Sequence, residues 1–280
     1  MSDINAQKNI KNPVLVDSHC HLDRLDLSPW QGRLDGALEG AEELGVGYFL
    51  CVSIDLEHYP NILEMAHNSN RISVSVGVHP NEKGGREPSV EELVALATDP
   101  SVVAIGETGL DYFRSQKDED DDLEWQRERF RTHIRAAKKC NKPLIIHMRE
   151  ATEDTLQILA EEEADQVGGV MHCFVEDWET AQRAMALNFD ISFSGIVTFN
   201  SAKALKEVAE KMPVERMLVE TDSPYLAPVP YRGKPNYPAY VRHVAECIAD
   251  LRGMQWQELA NITTKNFFRR FKVSRSLNIQ

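Results

Sequence analysis

The chain has 280 residues, of which 42% are hydrophobic and 27% are charged, and its formal net charge is -13 at pH 7. This length suits one large α/β domain, and the hydrophobic fraction is sufficient for a sizeable core. No apolar run has the length of a membrane span. The acidic balance argues against tight, sequence-independent binding to nucleic acid through a broad basic surface.

The N-terminal segment and the cysteines indicate the compartment. The first twelve residues are polar and lack the apolar stretch of a signal peptide. The five cysteines form no CxxC pair and are odd in number, which fits a reducing environment. We therefore predict a cytoplasmic protein with no membrane contact, and no obligate protein partner is evident. The expected organisation is a short tail over 1–12, one domain over 13–272 and a second tail over 273–280.

Eight short β-branched runs alternate with longer segments of helical periodicity. Their apolar content is nearly continuous, as is typical of parallel strands buried on both faces. The predicted strands are 14–20, 47–53, 72–78, 102–107, 143–148, 168–173, 189–195 and 217–220. Eight β–α units at this length predict a single-domain (β/α)8 TIM barrel in the α/β class.

The segments between the strands contain ordinary helix signals. Ser89 is predicted to cap the start of one helix, and Asn141 followed by Lys142 and Pro143 to end another. The acidic run 118–122 is expected to be the solvated start of a helix, without chemistry. The tail after the eighth strand reads as two helices, at 238–251 and 255–271.

Five of the nine histidines fall at or just past the C-terminal ends of predicted strands, the face on which barrel active sites assemble. They are His19, His21, His79, His147 and His172. The other four fall in helical segments, where surface or packing roles are expected. They are His58, His67, His133 and His243.

The same barrel face collects two carboxylates, which together with the histidines suggest a metal site. His19 and His21 are two residues apart in an extended strand, so both imidazoles can reach one cation. Glu107 is predicted to end the fourth strand, and its carboxylate can bridge two cations. The predicted ligands of two divalent ions are His19, His21, Glu107, His147, His172 and Asp222. The donor types leave Mg²⁺, Mn²⁺ and Zn²⁺ open.

These residues stand within a set of linear motifs that resembles the TatD-type deoxyribonucleases of the amidohydrolase superfamily. The motifs are DSHCHLD, GVHP, GETGLDY, IIHMRE, HCF, ETDSPYLAP and RGKPN, and they span about residues 14–271. The resemblance implies a TIM barrel and a divalent-metal nuclease that cleaves DNA phosphodiesters with a water activated by two metal ions. Met148, Thr108 and Tyr237 depart from the family pattern, which puts the substrate preference in doubt rather than the metal ligands.

The resemblance also implies individual roles. His19, His21 and Asp222 would hold one ion, His147 and His172 the other, and Glu107 would bridge them. Asp222 would also orient the nucleophile and take its proton.

Four further residues are expected to contact substrate. Arg149 follows His147 by two residues, on the same side of the strand, and is predicted with His79 to contact phosphate. Arg232 and Asn236, in a proline-rich loop, are expected to touch substrate as well.

Three functions are compatible with these residues. The first is a DNA phosphodiesterase that removes nucleotides from 3′ ends or nicks strands, and that acts on single-stranded or frayed ends. The second keeps the metal site but hydrolyses a small amide, lactone or aminoacyl ester. The third is a non-enzymatic binding protein, and the six intact ligands argue against it.

Overall fold

A computed structural model describes residues 15–115 and 123–273. The predicted tails lie outside the described residues, apart from Val273, and so does the acidic run 118–122. Eight parallel strands form one sheet in chain order. They are β1 (Leu15–Cys20), β2 (Val46–Cys51), β3 (Ile72–Val76), β4 (Val102–Asp111), β5 (Leu144–Arg149), β6 (Gly169–Met171), β7 (Phe189–Phe193) and β8 (Met217–Val219).

The sheet closes between its first strand and the segment after its last. Cys20 forms a parallel bridge with Ser223. The His21 amide donates to the Ser223 carbonyl at 2.8 Å, and the Asp222 amide donates to the His19 carbonyl at 2.9 Å. The predicted (β/α)8 barrel is therefore confirmed, and the segment after β8 is held directly against the HxH segment of β1.

Helices alternate with the strands around the barrel, as the periodicity predicted. They are α1 (Leu34–Glu43), α2 (Tyr59–Asn68), α3 (Val90–Leu96), α4 (Tyr112–Ser115), α5 (Glu124–Cys140), α6 (Thr152–Glu161), α7 (Trp178–Ala186), α8 (Lys203–Lys211), α9 (Val241–Arg252) and α10 (Trp256–Phe271). Ser89 caps α3 by accepting from the Glu92 amide, and α5 ends before Asn141, which adopts a left-handed conformation at φ 51°. Among the helices of the described ranges, none is long and apolar enough to cross a membrane.

The fourth strand is longer than predicted. It runs to Asp111, so Glu107 lies inside β4 and not at its end. The extension pairs with β5, and Gly109 lies opposite His147. A Cβ atom at Gly109 would lie 2.0 Å from the His147 carbonyl oxygen, so the glycine permits this close approach. The prediction failed because a glycine-containing segment does not carry the apolar pattern of a buried strand.

A hydrophobic cluster fills the barrel interior. It joins Tyr48 of β2 to Val170 of β6, strands on opposite sides of the ring, so it must lie inside. Phe267 and Phe271 of α10 belong to the same cluster. The Asn266 amide donates to the Met217 carbonyl at 2.9 Å, at the start of β8. Helix α10 therefore covers the N-terminal end of the barrel and leaves the C-terminal end open.

A buried carboxylate fastens α10 to the barrel. Asp190 of β7 accepts from Arg270 at 2.8 Å and from Arg269 at 3.1 Å, and it pairs with Arg216. A fully buried carboxylate is costly unless it is paired, and here three guanidinium groups surround it. This ion cluster lies at the end opposite the predicted metal site and serves the fold.

His133 is one of the helical histidines, and it packs in the core as expected. Its Nε2 atom accepts from the Val78 amide at 2.9 Å, while Nδ1 donates to the Arg129 carbonyl at 2.8 Å. Burial lowers the pKa of His133 to about 4. The neutral ring therefore orients the segment that leads from β3 to His79.

Acid is expected to destabilise the fold through His133. An unfolded histidine titrates near ~6.5, so between that value and about 4 the unfolded chain binds a proton that the folded chain excludes. The neutral His133 ring contributes its full share of the free energy of unfolding above pH ~6.5. This share is lost as the pH falls through the window, and the loss amounts to roughly 3 kcal/mol. Urea unfolding in EDTA, at several pH values, should show a shallower pH dependence for His133→Gln than for the wild type. Parallel curves would contradict this assignment.

Candidate metal centre

The six predicted ligands converge at the C-terminal end of the barrel. His19 lies in β1 and His21 directly after it, Glu107 lies within β4 and His147 within β5. His172 is the first residue after β6, and Asp222 is the third after β8. Both were predicted at strand ends, and both follow strands that end earlier than expected. The side chains nevertheless face one another because parallel strands end at the same edge.

Glu107 occupies the middle of the cluster, with its two oxygens directed at different histidines. Oε2 lies 3.4 Å from Nε2 of His19 and 4.0 Å from Nε2 of His21. Oε1 lies 3.0 Å from Nδ1 of His147 and 3.3 Å from Nε2 of His172. One carboxylate thus faces two pairs of imidazole donors, as expected of a ligand shared by two ions.

Asp222 completes the first of these groups. Its Oδ1 atom lies 3.4 Å from Nε2 of His21 and 3.7 Å from Nε2 of His19. The two halves of the centre also touch, because the rings of His19 and His172 stack with centroids 3.6 Å apart. Three overlapping groups of donors have their atoms within 4.8 Å of one another: His19 with His21 and Glu107, His19 with His172 and Asp222, and His79 with Glu107 and His147. The spacing suits more than one ion within a small volume.

The ring of His19 provides a test of whether a metal fits. The side chain is buried, and neither ring nitrogen has a hydrogen-bond partner among the residues that the structure describes. A buried polar atom without a partner is costly, and a cation at Nε2 would remove that cost. The donor set of imidazoles and carboxylates is also one that divalent ions accept. The residues therefore fit a metal centre.

In three of the predicted histidine ligands, one ring nitrogen contacts a carbonyl or carboxylate outside the group of predicted ligands. This contact fixes the orientation of the ring. His21 Nδ1 donates to the Val52 carbonyl at 3.1 Å. His147 Nε2 contacts Asp111 at 3.1 Å, and His172 Nδ1 contacts Glu220 at 2.7 Å. In each case the second ring nitrogen is the one directed at the carboxylates of the centre. Such outer partners are typical of protein metal sites.

Sequence analysis did not identify Asp111 and Glu220. Both carboxylates are fully buried, and Glu220 also accepts from the Cys173 amide at 2.8 Å. Both residues stood in the quoted motifs, four residues after Glu107 and two before Asp222. A signal was therefore present, but their contacts to His147 and His172 join strands distant in sequence.

Removal of the charge at Glu220 should weaken metal binding. The Glu220 carboxylate orients the His172 ring and makes it more basic. Glu220→Gln keeps the size of the side chain but replaces this carboxylate with a weaker, neutral acceptor. We expect metal affinity to fall by roughly 10-fold or more. A chelator competition titration measures it, with Glu176→Gln, a half-buried carboxylate in the loop after β6, as the matched control. Equal affinities in wild type and Glu220→Gln would show that Glu220 does not support the site.

The electrostatic environment keeps the central carboxylates ionised. Burial alone would raise the pKa of Glu107, but the surrounding histidines hold it well below its usual range. Burial opposes ionisation of Asp222 in the same way, and its hydrogen bond to His21 with the charges of His172 and His19 lowers its pKa. Both groups are therefore negatively charged at neutral pH, the state that a metal ligand requires.

His79 lies nearer the centre than a substrate contact requires. Its Nδ1 atom accepts from the Asn81 amide at 3.0 Å, so the proton is on Nε2. That Nε2 lies 3.4 Å from Glu107 Oε1 and 3.3 Å from Nδ1 of His147. His79 therefore presents an N–H donor beside the group formed by His147 and Glu107.

The centre opens into a cavity of about 690 Å³ at the barrel mouth. Three arginines line it, one after β1, one after β4 and one at the end of β5; the last of these and His79 are the two predicted phosphate contacts. The lining includes Arg24, Arg114, Arg149, His79, Met148 and Tyr225. Three guanidinium groups are thus present at the mouth of a protein whose net charge is -13, beside the four carboxylates of the same lining.

Two predicted substrate residues lie elsewhere. Arg232 is exposed, with its guanidinium 4.3 Å from the centre of the Phe199 ring, and it does not line the cavity. Asn236 is fully buried, and its amide donates to the carbonyls of Thr221 at 2.9 Å and Tyr225 at 2.5 Å. The Asn236 side chain therefore does not line the cavity, and its amide hydrogens hold the segment after β8.

The chain matches known proteins over nearly its whole length. Residues 16–272 match the family model described as TatD related DNase. The chain belongs to the TatD family. YcfH of Escherichia coli K12, an uncharacterized metal-dependent hydrolase, is 47% identical over 263 residues, which cover 94% of this chain and 97% of the relative. YabD of Bacillus subtilis, also an uncharacterized metal-dependent hydrolase, is 41% identical, with coverage of 93% and 100%.

A solved TatD homologue has the same barrel. The crystal structure of YjjV from Escherichia coli K12 superposes with a TM-score of 0.84 at 28% identity, covering 92% of this chain and 98% of that one. The predicted family and fold are confirmed. Family membership and the buried histidine–carboxylate cluster together make the chain a metal-dependent hydrolase of the TatD family.

Proposed function

We propose that this hydrolase cleaves phosphodiester bonds of DNA with two divalent ions at the centre around Glu107. The observation that carries the proposal is the position of the Glu107 carboxylate between two groups of donors. His19, His21 and Asp222 would hold one ion and His147 and His172 the other. The nitrogen-rich donors suit Zn²⁺, whereas carboxylates with a phosphate substrate suit Mg²⁺ or Mn²⁺.

The chemistry divides between the ions and the chain. When bound, divalent ions lower the pKa of a water molecule and neutralise charge on the phosphate oxygens. Asp222 is ionised and its side chain is 14% exposed toward the cavity, so it can orient the attacking water and accept its proton. The Nε2–H of His79 can donate to a phosphate oxygen, and the Arg149 guanidinium offers a planar fork for the same group.

The arginines of the cavity support a phosphate substrate over a neutral one. Arg24, Arg114 and Arg149 line the mouth, and a phosphate offers their guanidinium groups an anionic partner that an uncharged amide, lactone or aminoacyl ester does not. The remaining surface is acidic, so contacts should be limited to one or two phosphates. Such a site favours single-stranded or frayed ends, and either removal of nucleotides from 3′ ends or nicking fits it.

The decisive experiment compares substrates with one metal-loaded preparation. Single-stranded DNA, duplex DNA and a panel of small esters, lactones and amides are incubated with Mn²⁺- or Mg²⁺-loaded protein. We expect faster cleavage of single strands than of blunt duplexes, with a shallow salt dependence because few phosphates are contacted. Oligonucleotides labelled at the 5′ or the 3′ end distinguish stepwise removal from internal nicking on a gel.

Arg149→Ala should weaken DNA cleavage without loss of metal. The matched control is Arg135→Ala, an arginine on α5 whose side chain is 49% exposed and outside the cavity. Turnover of a small ester or amide far above any DNA cleavage would promote the second function. An absence of turnover on every substrate, with metal bound, would favour a binding protein.

A further inference from the structure

Exposed aromatic side chains occur in one place on the described part of the molecule. Of the phenylalanine, tyrosine and tryptophan residues in 15–115 and 123–273, only Phe113 and Tyr225 are classed as exposed, at 49% and 50%. We call them the rim aromatics. Both follow strands at the C-terminal end of the barrel, where the metal centre lies. Tyr225 lines the cavity, and Phe113 lies beside it, packed against Arg149 of the lining. Large exposed rings confined to one site suggest that they bind a ligand.

The rim aromatics stand on opposite sides of the centre. Phe113 follows β4 and Tyr225 follows β8, and these strands are four positions apart in a ring of eight. The Tyr225 ring centroid lies 6.1 Å from that of His21. Phe113 comes two residues after Asp111, the partner of His147. One ring is therefore linked to each half of the centre.

Each rim aromatic is held in place by polar groups. The Tyr225 amide donates to the Asp222 carbonyl at 2.9 Å, and its carbonyl accepts from Asn236 at 2.5 Å. The Arg149 guanidinium lies 4.0 Å from the centre of the Phe113 ring, a cation–π contact. Asn236 thus acts through Tyr225, and Arg149 and Phe113 form one unit that offers both charge and a flat surface.

We propose that the rim aromatics stack the two nucleobases that flank the cleaved phosphate. This inference rests on the proposed nuclease function and adds a specificity to it. Every base has a π face, so aromatic stacking recognises single strands regardless of sequence, whereas paired bases in a duplex are already stacked. The centre would then cut between two unpaired nucleosides, one on Tyr225 and one on Phe113 with Arg149.

A dinucleoside phosphate gives the sharpest test because it contains a single cleavable bond. TpT is compared with two analogues in which the 5′ or the 3′ base is replaced by hydrogen, leaving an abasic sugar. For the wild type, removal of either base should lower kcat/KM by about 10-fold, mainly through KM, the effect of one lost stacking contact. Tyr225→Leu should lose a similar factor on TpT but nothing on the analogue that lacks its partner base.

Phe113→Leu should show the same pattern with the other analogue. Tyr225→Phe keeps the ring and should restore wild-type behaviour, while Leu44→Ala, an exposed apolar residue outside the cavity, is the control. A loss in Phe113→Leu that persists on both abasic analogues would show that the residue acts by positioning Arg149 on phosphate. That result would overturn the stacking role of Phe113.

A binding measurement provides a readout independent of turnover. A short single strand containing 2-aminopurine is titrated with EDTA-treated protein, and stacking on Tyr225 or Phe113 should quench its fluorescence. Tyr225→Leu and Phe113→Leu should each reduce the quenching, and Tyr225→Phe should not. Unchanged quenching in both leucine variants would overturn the inference.

The two proposals fail in different ways. A wild-type enzyme that cleaves TpT and its abasic analogues at equal rates is a nuclease without base stacking, which contradicts this inference alone. A wild-type enzyme that cleaves neither TpT nor longer DNA contradicts the nuclease function itself.

Discussion

Glu107→Gln is expected to remove at least one of two divalent ions and to lower turnover by about 10³-fold or more. Glutamine is neutral and has one oxygen, whereas the NH₂ group that replaces the other oxygen is a donor and does not bind metal. Whichever way the amide turns, it faces either His19 and His21 or His147 and His172 with that NH₂ group. One of the two donor groups therefore loses its shared ligand.

Metal analysis of dialysed protein measures this effect directly. We expect about two ions per wild-type chain and one or none in Glu107→Gln. Glu82→Gln is the matched control, since Glu82 lines the same cavity but is not among the clustered donors. Unchanged stoichiometry in Glu107→Gln would remove the residue from its bridging position, and equal losses in both variants would indicate a general effect of charge in the cavity.

The success of the fold prediction has a simple physical basis. Strands of a parallel barrel are buried on both faces, so β2 and β8 are short apolar runs that are visible without any tertiary information. The segment 107–111 was missed because its glycines permit close backbone approach to β5 and contribute no apolar signal. Its inclusion in β4 depends on pairing with a strand more than thirty residues away.

The convergence of the predicted ligands could be expected from the sequence for a related reason. Each of His19, His147 and Asp222 lies at or just past the end of an apolar run, and the topology alone brings such positions together. The contacts that these side chains make with their neighbours cannot be predicted from the sequence. The pairing of Glu220 with His172 and the burial of Asn236 depend on how the loops fold over the mouth, which no linear pattern encodes.

The exposure of the rim aromatics could not be predicted from the sequence either. A tyrosine after Ser-Pro and a phenylalanine after Asp-Tyr are ordinary core candidates in sequence, because aromatic residues are usually buried. Only the structure shows that Tyr225 and Phe113 are about half exposed at the open end of the barrel. Exposure, and not residue type, is what marks them.

Asp222→Asn should fold and bind DNA almost normally but lower turnover by roughly 10²-fold or more. The backbone of Asp222 has a φ of 56°, in the left-handed region, which asparagine adopts as readily as aspartate. The hydrogen bond from its backbone amide to the His19 carbonyl involves no side-chain atom and should persist. Asparagine also keeps one oxygen for a metal ion, so the main loss is the negative charge that accepts a proton.

Single-turnover cleavage of end-labelled single-stranded DNA isolates the chemical step, and metal analysis of the same sample shows whether both ions are retained. Asp165→Asn, at an exposed site before β6, controls for the general loss of one carboxylate. A variant that retains its ions and cleaves at nearly the wild-type rate would show that Asp222 is a ligand and not the base. His79 carries its proton on Nε2, the nitrogen that faces the centre, and is therefore poorly placed to accept another. In that case the proton would have to leave through solvent, and the rate should then rise with the buffer concentration.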